Sequence, residues 1–367
     1  MSSSSTSPPS NLIIPVLSPA PTPSIGGLDF LPSVHLATTL AQPCTSLLVI
    51  PSEDEYPPFV VCGKDNGETV LFASDFTHRF CKTLPMGSPI TALAYGKLCS
   101  PNNADLVSIA ADGQLQILRL MLHAESISLV AQTTQLVHAN ITAAYIGDVN
   151  KDEQNELVVF MTDRVVRTFR WCPDNSRLFP LFKWEVPAQI ASVAIGESVA
   201  RQMEAWLSQA GTRSYVAIQF SGENNVTVCD NRKDVSAMIM PYRTDFVTIL
   251  GSLVTGIVVH VSQKDRRLKS LGGDVVAIAS LRLSTKMIIV TVDVNALCLL
   301  YAFSERSVKK TEIDPLMRMT VLRDTIHVAA FTSSDSLFIA VSTKRGRVAN
   351  YGVPMDTIDH RFMKIGS

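Results

Sequence analysis

The chain has 367 residues, 46% of them hydrophobic and 18% charged, with a formal net charge of −1. Length and core content suit two average domains or one large all-β domain. The balanced charge argues against nucleic acid as a partner, which needs a basic face. No apolar run reaches the roughly 18 residues of a membrane-spanning helix.

Residues 1–33 are rich in Ser and Pro and contain no Lys or Arg. Such a stretch buries too little apolar surface to offset the entropy of ordering, so this leader is expected to be disordered. It has neither the basic start nor the unbroken apolar stretch of a secretory signal, because Leu12-Ile13-Ile14 stops at Pro15. Seven cysteines, odd in number and never spaced C-x-x-C, predict reduced thiols in a cytoplasmic protein.

Beyond the leader the chain reads as a repeat. His35–Leu40 is a lone strand. Residues 59–72 (FVVCGKDNGETVLF) then predict two strands joined at Asp65-Asn66-Gly67, and residues 106–118 (LVSIAADGQLQIL) two more joined at Asp112-Gly113. Each turn supplies the glycine that a tight hairpin needs at positive φ. Ile90–Gly96 (ITALAYG) recurs as Ile141–Gly147 (ITAAYIG) and again as Ile190–Gly196 (IASVAIG), with weaker copies at Val275 and Ile326. Four strands in each period of about 50 residues is the signature of a β-propeller. An all-β propeller over residues 34–355 is therefore expected, with seven blades and a tail at 356–367. Between Ile249 and Ile278 the chain is too short for four strands, so one blade is expected to be truncated or irregular. An open ring would leave unpaired strand edges, so the lone N-terminal strand is expected to close the last blade beside Arg347–Tyr351. Ala205-Trp206-Leu207 is read as a strand from its place in the period, although the sequence around it could pass for a helix.

The richest segment is residues 142–171. Asp148, Asn150 and Asp152 alternate along an acidic loop, and Glu156 follows just before an apolar strand. A run of side-chain oxygens with a later carboxylate is how a short loop wraps Ca²⁺. The sixth position, usually Gly because the backbone turns sharply there, is Glu153. The same residues also describe an acidic turn whose carboxylates accept hydrogen bonds from nearby backbone N–H groups. Downstream, Arg164, Arg167 and Arg170 are read as one face of a strand. That face would meet a partner with Trp171 as an anchor, since Arg and Trp dominate interface hot spots.

The segment GDVNKDEQNELVVFMTDRVVRTFRW (147–171), followed by LFKWEVPAQIASV (181–193), resembles the integrin-alpha FG-GAP-repeat-containing protein 2 family. Its most specific part is Thr162–Arg167 with Phe169-Arg170-Trp171 and Lys183-Trp184. The resemblance implies a non-enzymatic scaffold with no cofactor, a subunit of the KICSTOR complex that is cytoplasmic and peripheral to the lysosomal membrane through its partners. It implies that this assembly helps place the GTPase-activating complex that acts on Rag GTPases and restrains TOR when nutrients are scarce. A Ca²⁺-binding, integrin-like propeller serving adhesion is the alternative. No H-x-H, H-E-x-x-H or G-x-S-x-G motif and no phosphate-cradling glycine loop occurs, so neither catalysis nor a small-molecule substrate is expected.

Overall fold

The computed structural model describes residues 28–366 except 52–57, 74–79, 84, 124–125, 198–201, 210–213, 222–225, 231–236, 239–242, 245–246, 253–255, 262–263, 270, 272, 284–285, 305–311 and 334. The fold is an all-β propeller. After β1 (Ser33–Thr39), blade one is β2 (Cys44–Ile50), β3 (Phe59–Lys64), β4 (Thr69–Ala73) and β5 (Phe80–Lys82). Blade two is β6 (Ile90–Gly96), β7 (Asp105–Ala110), β8 (Gln114–His123) and β9 (Ser126–Leu136). Blade three is β10 (Ile141–Gly147), β11 (Glu156–Met161), β12 (Val165–Cys172) and β13 (Arg177–Glu185). Blade four is β14 (Ile190–Glu197), β15 (Met203–Gln209), β16 (Ser214–Gln219) and β17 (Val226–Asp230), so Ala205–Leu207 is indeed a strand.

An irregular sheet follows. It holds β18 (Ala237–Met238), β19 (Arg243–Thr244), β20 (Val247–Ser252), β21 (Gly256–Val261) and β22 (Lys264–Leu268). Blade five is β23 (Val275–Arg282), β24 (Met287–Asp293), β25 (Leu297–Phe303) and β27 (Met317–Thr320). The strand between the last two, β26 (Glu312–Ile313), instead pairs in parallel with β22. Blade six is β28 (Thr325–Ser333), β29 (Ser336–Thr343) and β30 (Arg347–Pro354), completed on the outside by β1, where His35 pairs with Asn350. The expected closure by the N-terminal strand is therefore present.

The expected seven blades become six regular four-stranded ones and this irregular sheet. The sheet is not truncated. Ile249 lies on a second strand, not an inner one: β20 pairs with β21 on one side and with the two-residue strands β18 and β19 on the other. The innermost position is therefore held by the two short strands β18 and β19, which precede Ile249 in the chain.

The six regular blades share a signature beyond strand number. Each breaks register at the second residue of its inner strand: at Thr45, Thr91, Thr142, Ala191, Val276 and Ile326. A bulge there twists the inner strand as it enters the ring. It also links neighbours, since the Thr45 hydroxyl donates to the Ile90 carbonyl of the next blade (2.6 Å).

The core lies between blades. Phe59, Leu71, Ile90 and Leu106 pack blade one on two; Ile109, Ile117, Leu157 and Phe169 pack two on three; Phe160, Trp184, Leu207 and Phe220 pack three on four. Cys44, Val60, Phe331 and Val348 seal six to one. Burying each large apolar side chain stabilises by roughly 1.5–3 kcal/mol, so the seams add to the ladders in holding the ring.

Both ends of the propeller carry described structure that packs on it. Within the 1–33 leader, residues 28–33 are described: Phe30 N–H donates to the Arg318 carbonyl (3.0 Å) and Asp29 pairs with the Arg318 guanidinium. The rest of the leader lies outside the described residues. The 356–367 tail is α1 (Met355–Gly366), whose Ile358 is fully buried and whose Arg361 donates to the Leu28 and Asp29 carbonyls (3.1 Å each). Its apolar positions, Met355, Ile358 and Phe362, fall on one helical face against blades five and six.

Candidate functional site

The acidic loop joins β10 to β11, the inner and second strands of blade three. Its backbone makes two left-handed turns, at Lys151 (φ 65°) and Glu153 (φ 69°), the latter at the position where such loops normally carry Gly. Asp148 accepts the N–H groups of Asp152 (3.1 Å) and Glu153 (2.9 Å) with its two oxygens. Asn150 Oδ1 also accepts from Asp152 N–H (3.2 Å), and Asp152 Oδ1 accepts from Gln154 N–H (3.0 Å). These are the local side-chain-to-backbone bonds that make Asp and Asn turn residues.

Glu156 opens β11, is buried, and accepts from Val149 N–H (3.2 Å). Opposite it in register stands Arg170 of β12, whose guanidinium bonds both Glu156 and Asp152 (2.5 Å to Asp152). Burial pushes the Glu156 carboxyl above the usual range despite this arginine. At Asp152 burial works in the same upward direction but is outweighed. Hydrogen bonds from Arg170, Asn150 and the Gln154 N–H hold its carboxyl below the usual range.

Blade two repeats the arrangement. Asp105, also the first residue of a second strand and fully buried, accepts from Cys99 N–H (2.8 Å) and from Arg119 Nη2 (3.0 Å). Burial, followed by the nearby Asp105, pushes the Cys99 thiol up to about 12, so it is no nucleophile at neutral pH. In blade four the same place holds Glu204, bonded by Gln219 Nε2 (3.1 Å) and Trp206 Nε1 (3.1 Å). Three successive blades thus pair a buried carboxylate at this place with a donor from the third strand, and in blades two and three the carboxylate also fastens the inner loop. The repeat spacing that aligns Asp105 with Glu156 also aligns Arg119 with Arg170, so the signal was present in the sequence.

The predicted arginine stripe is not one face. Residues three apart on a strand point to opposite sides, and β12 pairs with β11 without a break. Arg170 lies on the side of Val166, which packs toward blade four. Arg167 lies on the side of Phe169 and Trp171, which pack toward blade two. Arg164 is not on the strand at all: it holds the hairpin tip at φ 71°, exposed, with Nη1 3.4 Å from the Pro187 carbonyl. Trp171 is half-buried against the blade two–three core. Trp184, from the family-specific run, is buried edge-on against Phe220 of blade four (centroids 5.4 Å apart).

Among the described residues no cluster of three His, Cys, Asp or Glu side chains is arranged to hold a metal ion. The cysteines Cys44, Cys62, Cys99, Cys172 and Cys298 are free thiols. No helix among the described residues is long and apolar enough to cross a membrane.

Comparison with solved structures shows the fold. BBS1N, in its complex with ARL6DN, superposes with a TM-score of 0.60 at 11% identity, covering 89% of this chain and 96% of that one. Sqt1 of Saccharomyces cerevisiae gives 0.56 at 12% identity, covering 89% and 98%. Among curated relatives, the KICSTOR complex protein ITFG2 of Mus musculus is 27% identical over 169 residues, 41% of this chain and 38% of that protein. That of Bos taurus is 26% identical over 170 residues, 41% of this chain and 32% of that protein. The aligned part is thus well under half the length of these relatives. The family model for integrin-alpha FG-GAP repeat-containing protein 2 matches residues 77–252, so the resemblance carried by Thr162–Trp171 holds across blades two, three and four.

Proposed function

We propose that this chain is a non-enzymatic propeller scaffold, a subunit of a KICSTOR-type complex. In this reading it helps place the Rag GTPase-activating complex on lysosomes and restrains TOR signalling when nutrients are scarce. The observation that carries the reading is the family match over residues 77–252. It includes the three blades that carry the buried carboxylate with its third-strand donor. Attachment to the membrane is peripheral and runs through partner subunits.

Of the four residues expected to meet a partner, Arg164 alone is exposed while the other three are half-buried, and it is the one on which the proposal places a contact. The test is affinity purification of the tagged chain from its own cytosol, with mass spectrometry, in the presence and absence of EGTA. Recovery of KICSTOR-type subunits in both conditions is expected, with several-fold less recovery for Arg164→Glu at unchanged thermal stability. Recovery of no such subunits overturns the proposal.

A further inference from the structure

We propose that the blade-three loop is a latch in which Arg170 takes the place of a cation, so that the loop binds no Ca²⁺ while that arginine is present. The loop retains the outline of a calcium site, with alternating oxygens at Asp148, Asn150 and Asp152, a left-handed sixth residue at Glu153 and a closing carboxylate at Glu156. Its side-chain oxygens are nonetheless occupied. Both of Asp148 and one each of Asn150, Asp152 and Glu156 take backbone N–H groups. The remaining oxygens of Asp152 and Glu156 converge on one guanidinium, with Asn150 Nδ2 also 3.0 Å from the Asp152 oxygen. Backbone donors alone are compatible with coordination, because a carboxylate oxygen has a second lone pair. The arginine is not: a divalent ion at calcium–oxygen distance from Asp152 and Glu156 would stand against a fixed positive charge.

Blade two is an internal control. Its loop, residues 97–104 (KLCSPNNA), has no carboxylate and hence no ligand set, yet Asp105, Arg119 and Cys99 N–H form the same fastening. The carboxylate and arginine therefore belong to the propeller's construction, and in blade three they are superimposed on a loop of calcium-site outline. In blade four the carboxylate at this place, Glu204, takes a neutral third-strand donor, Gln219.

The test uses the purified full chain and needs none of its partners, so its result is separate from that of the functional proposal. Thermal unfolding is followed in millimolar CaCl₂ and in EGTA, with calcium titration calorimetry alongside. Equal midpoints and no calcium heat are expected for the wild type. Arg170→Gln should unfold a few degrees lower in EGTA and recover part of that loss in CaCl₂, whereas Arg170→Lys should stay insensitive to calcium. A wild-type midpoint that falls in EGTA, or Arg170→Gln as stable as wild type in EGTA, overturns the proposal. If Arg170→Gln does not fold, the wild-type titration alone decides.

Discussion

Gly67, Gly113, Arg164, Ala296 and Gly346 occupy one position in five blades, the last residue of the turn between second and third strands, and all have positive φ. Its carbonyl accepts the N–H that ends the outer strand, as at Val137 (2.8 Å), Val186 (2.9 Å) and Val321 (3.0 Å). The geometry is thus fixed by the blade and not by the residue. Arg164 and Glu153 bear a left-handed conformation that costs a non-glycine residue on the order of 1 kcal/mol. Arg164→Gly and Glu153→Gly should each raise the free energy of urea unfolding by about 0.5–1 kcal/mol. Gly67→Ala should lower it by about 2 kcal/mol or more, since an added Cβ would lie 2.8 Å from the backbone nitrogens of Met86 and Gly87. The acidic loop was legible as residues but not as a circuit. Its alternating oxygens show in the sequence, whereas Arg170 lies beyond the next hairpin and comes into reach only through the pairing of β11 with β12.

The unit that repeats in blades two and three is loop plus hairpin: a buried carboxylate at the start of the second strand, tied to the loop behind it and to the third strand beside it. In blade two this tie can be broken cleanly. Arg119→Ala leaves Asp105 buried with its charge opposed by a single backbone donor. Breaking such a pair from one side is costly, and with the Arg119 side chain a quarter exposed the loss should be about 2 kcal/mol by chemical denaturation. Asp105→Asn in the same background should return part of it. Strands with the Ile-Thr-Ala type of entry were readable because their apolar pattern and their bulge come from the same residues. In blade six the bulge falls at Ile326 and the inner strand starts at Thr325, one residue before the repeat suggested, because Thr occupies the place of Ile90. The irregular sheet was not readable: no such entry precedes β20, and its outer neighbour β26 arrives from far along the chain in parallel. Helix α1 was missed because its apolar face is only a few residues and matters only against blades five and six.

At the scale of the ring, stability depends on the seam between blades six and one. His327, on the inner strand of blade six, is held below the usual histidine range by burial, with a bond involving the Thr45 backbone of blade one pulling weakly the other way. A depressed histidine favours the neutral form in the folded state. Its contribution is therefore complete above the unfolded value and declines as pH falls below about 6.5. The thermal midpoint should drop between pH 7.5 and 5.5, and His327→Gln should flatten that part of the profile. A variant with the same slope as the parent would remove His327 as the cause.

The closure of blade six by β1 sets an order in time. Ser33 and Gly352 are partners across 319 positions of chain, and β1 leaves the ribosome long before β30 exists to receive it. Until then the newborn protein carries one unmatched strand at its front and a row of blades with no last neighbour. Entropy of closure grows slowly with loop length but delays such distant contacts, and edges left open in the interval invite other chains. β30 is therefore made while the ring is not yet shut. Closing the ring is an early strand finding a late one, with Arg361 of α1 then gripping Leu28 and Asp29 beside it.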